Sequence, residues 1–143
     1  MKKTIIFIII ILLTISCTDR NEPQKETFVM KVKNESSESF TLKISNSSGD
    51  IFNQTILPNE SKQICSVIEE GPISYFACGL ANSELRFTNN KGYICGNNTS
   101  DTNTLCFAND RNLLGQIGYV NIGNNILEFK ITQIDYTNAF VLP

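Results

Sequence analysis

Five cysteines are the residues of this chain with the clearest capacity for chemistry: Cys17, Cys65, Cys78, Cys95 and Cys106. No two of them have the C-x-x-C spacing, which argues against a zinc ribbon or a thioredoxin-like redox motif. The chain also has no His, so Ser-His-Asp, Cys-His and His-ligated metal chemistry are excluded. We therefore predict no catalytic residue, no metal site and no cofactor, and expect the cysteines to have covalent structural roles.

The first cysteine follows a segment that is typical of an export signal. Lys2 and Lys3 supply positive charge, and residues 5–13 form an unbroken apolar run that ends four residues before Cys17;. Crossing the core of a bilayer takes about 20 apolar residues in a helix. The run is therefore too short for a transmembrane span and favours a signal peptide.

Ser16 and Cys17 resemble the end of a bacterial lipobox, in which a small residue precedes a cysteine that becomes the lipidated first residue. Thr14 stands where that family more often has Leu, and the resemblance covers residues 1–17 only. It implies a signal peptide at 1–16 and a diacylglyceryl group with an N-acyl chain on Cys17. Each buried methylene of these acyl tails contributes about 0.8 kcal/mol, so the implied anchor is effectively permanent.

The resemblance also implies a location in the cell envelope, lipid-anchored to a membrane, with the outer membrane favoured. The domain would then lie in the periplasm or at the cell surface. Asp19, two residues after Cys17, resembles a retention signal in some bacteria and a surface-export signal in others, so it leaves the membrane and its face open. Two alternatives also stay open: a cleaved secretory signal without lipid, and a short uncleaved anchor.

The remaining four cysteines are enough for two disulfides in an oxidising compartment. An odd count in an exported protein leaves one thiol to explain, and the lipid on Cys17 would account for it. Four cysteines allow three pairings, and we favour Cys65–Cys78 and Cys95–Cys106 because both loops are short. On the chain-entropy model each bridge contributes about 3 kcal/mol. The alternative is that all four are reduced, buried thiols.

Length and charge limit the chain to one domain and a few classes of partner. The chain has 143 residues, within the usual size of one domain. Without Lys2 and Lys3 it carries 10 basic and 14 acidic residues, which argues against nucleic acid as a partner because phosphate binding needs a basic face. Residues 17–26 lack large apolar side chains and predict a flexible tether after the lipid, followed by a single domain at 27–143.

From Thr27 onward the apolar residues recur with a period of two, which predicts β-strands. We expect strands near 28–33, 40–45, 51–56, 61–68, 73–78, 85–88, 91–95, 116–122 and 126–131. Short strands at this spacing indicate an all-β fold, a small antiparallel β-sandwich with an immunoglobulin-like pattern; a small closed β-barrel is the alternative. Thr132 and Asp135 resemble a capping box and predict one short helix up to about Ala139.

Several polar or aromatic groups are candidates for binding or catalytic sites. Residues 97–103 alternate oxygen-bearing side chains that could surround a calcium ion, although an ordinary solvated loop is strongly favoured. Glu69 and Glu70 suggest an acid/base pair, but adjacent residues of a strand point to opposite faces, and we expect a surface turn. Five aromatic residues could line a ligand groove, although most should simply be core: Phe76, Phe87, Tyr93, Phe107 and Tyr119.

These features favour a non-enzymatic, membrane-anchored lipoprotein whose disulfide-linked β-domain binds an unknown protein or glycan. A small inhibitor or immunity-type lipoprotein that uses an exposed loop such as 96–112 is the second hypothesis. An enzyme working through carboxylates is the third and least favoured. Its candidates are Asp101, Asp110 and Asp135;.

Overall fold

The computed structural model describes residues 24–70, 78–96, 105–108, 111–115 and 117–143, which form two β-sheets and one short helix. The elements are β1 (Lys25–Glu35), β2 (Phe40–Asn46), β3 (Gly49–Ile56), β4 (Ser61–Glu70), β5 (Asn82–Phe87), β6 (Lys91–Gly96), β7 (Tyr119–Asn121), β8 (Ile126–Thr132), α1 (Gln133–Asn138) and β9 (Phe140–Val141). The prediction of an all-β sandwich is confirmed. Across these ranges the strands form two separate sheets and not a closed barrel.

Sheet I has the strand order β4-β1-β8-β7, and sheet II has the order β3-β2-β5-β6-β9. The described strand pairs are antiparallel except one, since β1 runs parallel to β8 and pairs Val29 with Ile126 through Glu35 with Thr132. The order differs from the ABED and CFG sheets of an immunoglobulin constant domain. The immunoglobulin-like pattern of the sequence therefore extends to the sandwich architecture and not to the order of the strands.

The period of two in the sequence places alternate side chains inside and outside the sandwich, as expected for half-buried strands. In β1, Met30 and Val32 are fully buried while Lys31 and Lys33 remain partly exposed. The largest fully buried side chains of the described residues come from both sheets and from residues 113–114: Phe40, Phe87, Phe129, Met30, Leu42, Ile44, Ile56, Leu85, Leu113, Leu114, Ile131 and Val32. The core therefore lies between the sheets and holds them together.

Two tight turns follow the turn chemistry of the sequence. Asn59 adopts a left-handed backbone with φ of 64°, and the Glu60 carboxylate accepts a hydrogen bond from the Leu57 amide at 2.9 Å. Asn90 has φ of 62° between the paired strands β5 and β6. Asn tolerates this conformation better than most residues, so both turns are set by local sequence.

The predicted capping box is present and starts helix α1. The Thr132 side chain accepts a hydrogen bond from the Asp135 amide, and the Asp135 carboxylate accepts one from the Thr132 amide at 2.7 Å. This exchange satisfies two backbone donors that the first turn of a helix would leave unpaired. The helix then ends at Asn138, one residue before the predicted end.

Some predicted boundaries were wrong. Lys25 and Glu26, expected in the tether, belong to β1, where they pair with Glu70 and Glu69 of β4. That pairing also continues β4 through Glu70, where the sequence predicted a turn. The strand predicted at 116–122 is shorter than expected, since β7 covers only Tyr119–Asn121. The strand predicted at 73–78 lies outside the described residues except for Cys78 itself.

Candidate functional site

The structure pairs Cys65 with Cys78 and Cys95 with Cys106, the pairing that the loop lengths favour. The Cα atoms are 6.3 Å apart in the first bridge and 4.9 Å in the second. Cys95 lies in β6 with only 1% of its surface exposed, whereas the other three half-cystines are partly buried against the core. Each bridge joins a strand to a cysteine that follows it in the chain. The first starts from β4 of sheet I, and the second starts from β6 of sheet II.

The second disulfide is reinforced by contacts of the segment that contains Cys106. The Leu105 carbonyl accepts a hydrogen bond from the Ile94 amide of β6 at 2.9 Å. Phe107 is buried and stacks on Tyr93 with ring centroids 3.9 Å apart. Residues 97–103, the proposed calcium loop, lie outside the described residues. Within the described part of the chain, no group of three or more His, Cys, Asp or Glu side chains could hold a metal ion.

Asp135 is the one carboxylate of the enzyme hypothesis that the structure describes, since Asp101 and Asp110 lie outside the described residues. Its carboxylate accepts a hydrogen bond from Arg111 at 2.6 Å through one oxygen and caps α1 at Thr132 through the other. Arg111 also donates to the Lys130 carbonyl at 2.8 Å. Its guanidinium lies 4.9 Å from the centroid of the Phe129 ring. Both oxygens of Asp135 therefore have structural partners, and the side chain is 7% exposed.

Arg111 has a structural role that its sequence surroundings do not indicate. Its partners are 19 and 24 residues away along the chain, and no local pattern connects them. The one signal in the sequence is that Arg111 is the lone Arg in residues 96–112, close to Cys106 and Phe107. Arg111 and Asp135 together join this segment to helix α1, so the pair acts as a structural link between elements.

Tyr93 links the same cluster to β6, and its hydroxyl donates to the Asp135 carbonyl at 2.7 Å. Burial, followed by the negative charge of Asp135, raises the pKa of Tyr93 to about 12, while the positive charge of Arg111 opposes the shift. The neutral phenol is therefore strongly favoured in the folded domain.

This pKa predicts a loss of stability in alkali. The folded domain keeps the Tyr93 proton to about pH 12, whereas the unfolded chain releases it near its ordinary pKa of 10.0. The stabilisation is therefore fully present below pH 10 and is lost as the pH rises towards 12, by about 1.4 kcal/mol per pH unit. Urea unfolding as a function of pH should show this slope in the wild type and lose it in Tyr93→Phe. Tyr136→Phe, which leaves Tyr93 in place, is the control and should retain it; equal slopes in all three proteins would contradict the prediction.

The aromatic residues that were weighed as a groove are core residues wherever the structure describes them. Phe87, Tyr93 and Phe107 are all buried. Tyr119 is partly buried, with its ring against Phe129 at 5.3 Å. Phe76 lies outside the described residues. This confirms the core interpretation for the described aromatic residues and provides no open aromatic groove among them.

Glu69 and Glu70 lie at the end of β4 and not in a surface turn, which corrects the expected location. Glu70 forms an ion pair at 3.1 Å with Lys25, which lies opposite it on the neighbouring strand β1. Glu69 lies opposite Glu26 in the same register. Because successive residues of a strand face opposite sides, the two carboxylates do not converge.

The outer face of sheet I combines exposed apolar and basic side chains. Val120 lies in the edge strand β7 and Ile122 directly follows it, while Ile68 lies on the opposite edge strand β4. These three side chains are 50–69% exposed. Between them, Val29 of β1 and Ile126 of β8 are half-buried and directly paired in register. We call these five residues the apolar patch.

Lysines continue the same face beyond the apolar patch, towards the carboxyl end of β1. Lys31 lies opposite Glu128, and Lys33 lies opposite Lys130. Lys130 and Lys33 both contact the Glu35 carboxylate, at 3.0 Å and 3.1 Å. The hydrogen bond from Lys130, followed by that from Lys33, lowers the pKa of Glu35. The lysine-rich end of this face is thus an ordered network of charges.

The outer face of sheet II is different, because its exposed side chains are mainly polar and paired with one another. Thr41 and Thr55 share a hydrogen bond of 3.2 Å across β2 and β3. Lys43 and Asp50 form an ion pair at 3.1 Å on the same two strands. Strand β3 ends the sheet and spans eight residues. The β2 and β3 side of sheet II is therefore mainly polar, whereas its other edge strand, β9, exposes Phe140 and Val141.

Comparison with protein-family models, curated proteins and solved structures finds no match to this chain. In the described residues, no helix is long and apolar enough to cross a membrane.

Proposed function

We propose that this chain is a lipid-anchored protein of the cell envelope, and that its β-sandwich binds a protein or glycan partner and is not an enzyme. The observation that carries the proposal is the use of the cysteines. Four of the five form disulfides within the domain, which leaves Cys17, the cysteine of the lipobox-like segment. An even number of bridged cysteines and one acylated cysteine account for the odd total.

The disulfides support an extracytoplasmic location for the domain, because such bonds form and persist mainly in oxidising compartments. They also suit a small domain held outside the cell, since each bridge restricts the unfolded chain. The lipid would supply attachment to the membrane, while the disulfides would keep the domain folded there.

The surface of the sandwich supports binding in preference to catalysis. Asp135 is committed to the Arg111 ion pair and to the helix cap. The polar outer face of sheet II instead ends in β3, an edge strand with exposed Asn53, Gln54 and Thr55. An edge strand offers backbone donors and acceptors to an added strand of a partner. We assign the partner-binding surface to β3 and the adjoining face of sheet II.

Metabolic labelling with an alkyne fatty acid tests the anchor. The wild-type protein should be labelled, and Cys17→Ala should lose the label. Ser16→Ala keeps a small residue before the cysteine and should retain it. Mass spectrometry provides a second test. If it shows a wild-type protein that begins at Met1, or at Cys17 with a free thiol, the lipid anchor is disproved.

Retention of a partner from envelope extract tests the binding role. Gln54→Lys places a charge on the β3 edge, a change that discourages strand addition. We expect it to lose a partner that the wild-type protein retains. Asn138→Lys changes the charge equally at the exposed last residue of α1 and should keep the partner. If the wild-type protein retains nothing, or if both variants bind equally, the proposed surface is wrong.

A further inference from the structure

We propose that the apolar patch of sheet I rests on the membrane that holds the lipid anchor, so that the domain has one fixed face towards the lipid. This inference rests on the proposed function, since it requires acylation of Cys17. It assigns a role to exposed side chains that the core does not use. Ile68, Val120 and Ile122 are 69%, 55% and 50% exposed although they are large and apolar.

The position of the N-terminus favours the lipid surface as the occupant. The apolar patch lies along the first half of β1, where Thr27 pairs with Ile68 and Val29 pairs with Ile126. Only seven peptide steps separate Cys17 from Gln24, the first described residue. Even a fully extended chain covers at most about 25 Å over that length. The lipid would therefore keep this end of β1 close to the headgroups.

Because the lipid already attaches the domain to the membrane, a small contact surface is sufficient to orient it. Once the acyl chains are inserted, contact between the apolar patch and the bilayer becomes intramolecular, and a short linker gives a high effective concentration. A patch too small to bind a membrane from solution can then orient a domain that is already attached. Apolar side chains that enter the boundary between headgroups and acyl chains are a common mode of interfacial binding.

The charges around the apolar patch are compatible with a headgroup layer. Lys31 extends from the same face next to the patch, opposite Glu128, whereas Lys33 is paired with Glu35. A lysine at the position of Lys31 can contact a lipid phosphate while its apolar stem covers the patch. In this orientation the polar outer face of sheet II, with its edge strand β3, points away from the bilayer towards a partner.

The chain has no Trp, so a single introduced indole reports its own environment. Val120→Trp and Ile68→Trp place it at the two edges of the apolar patch. Thr55→Trp places it on the outer face of sheet II as the matched control. Each full-length protein is incorporated into vesicles of phosphatidylethanolamine and phosphatidylglycerol, with or without a phosphatidylcholine that carries brominated acyl chains. Circular dichroism and urea unfolding show whether each variant is folded.

We expect the indoles at positions 120 and 68 to shift to shorter emission wavelengths and to lose most of their emission with brominated lipid. The control should do neither.

Flotation of the protein with the vesicles reports the anchor separately from the docking. A protein that floats with an unquenched indole at both positions disproves the docking while leaving the anchor intact, and a protein that does not float disproves the anchor. A blue shift without quenching that grows with protein concentration would overturn the proposal in favour of contact between two copies. If one of the two patch variants is unfolded, the emission and quenching of the other variant test the proposal.

Discussion

Asp135→Ala is expected to destabilise the domain by about 3 kcal/mol, because it leaves Arg111 without its partner and removes a helix cap. The Asp135 side chain is 7% exposed and the Arg111 side chain 29%. The guanidinium also lies against the Phe107 and Phe129 rings, so water can replace the lost carboxylate only in part. The measurement is the free energy of unfolding in urea at neutral pH. Marginally stable domains have only about 5–15 kcal/mol in total, so the loss should be evident.

Asp50→Ala is the matched control for the removal of a carboxylate. Asp50 pairs with Lys43, and both side chains are nearly half exposed, so we expect a loss below about 1 kcal/mol. The double variant Arg111→Met with Asp135→Ala should lose less than the sum of the two single variants, because no unpaired charge remains. Equal losses for Asp135→Ala and Asp50→Ala would contradict a buried structural role for Asp135.

Removing the Cys95–Cys106 bridge with a pair of alanines should cost about 3–4 kcal/mol. The bridge closes a loop over 11 residues, which gives about 3 kcal/mol on the chain-entropy model. Cys95 is also 1% exposed within the core, so its truncation leaves a small cavity that adds to the loss. The measurement is the urea midpoint and slope of the double variant under non-reducing conditions.

The Cys65–Cys78 bridge should contribute slightly less, about 3 kcal/mol, because both of its half-cystines are only partly buried. Cys17→Ala provides the control for the fifth cysteine. If this residue acts only as the lipid attachment point, the variant should unfold at the same urea concentration as the wild type. A loss for Cys17→Ala similar to that of the paired variants would instead indicate a thiol that takes part in folding. No loss on removal of either bridge would contradict the stabilising role of the disulfides.

Features that depend on neighbouring residues were predictable from the amino-acid pattern. The period of two in Phe40, Leu42 and Ile44 predicted an inward face, and all three are buried. Thr132 and Asp135 predicted a capping box that the structure contains. The short separations along the chain also favoured the disulfide pairing that is observed, since the entropic cost of closing a loop rises with its length.

Features that depend on distant residues were not predictable in the same way. The structure pairs β1 with β8 in parallel, which brings Val29 beside Ile126 although 97 positions separate them. Neither residue signals this pairing, because each appears simply as an apolar residue in a strand. The apolar patch exists only because this pairing, with those of β1 with β4 and of β7 with β8, places its members on one face.

Asp50 and Asp135 show the same difference between what neighbouring residues determine and what distant residues determine. Both are acidic residues close to turns or helix starts, yet one is exposed beside Lys43 and the other is buried beside Arg111. The sequence alone was sufficient for the all-β class, the inward and outward faces of the strands and the local cap, because side-chain periodicity and backbone capping act within a few residues. The strand order, the burial of Asp135 and the composition of each outer face required the folded chain, because they depend on which strands pair over long separations.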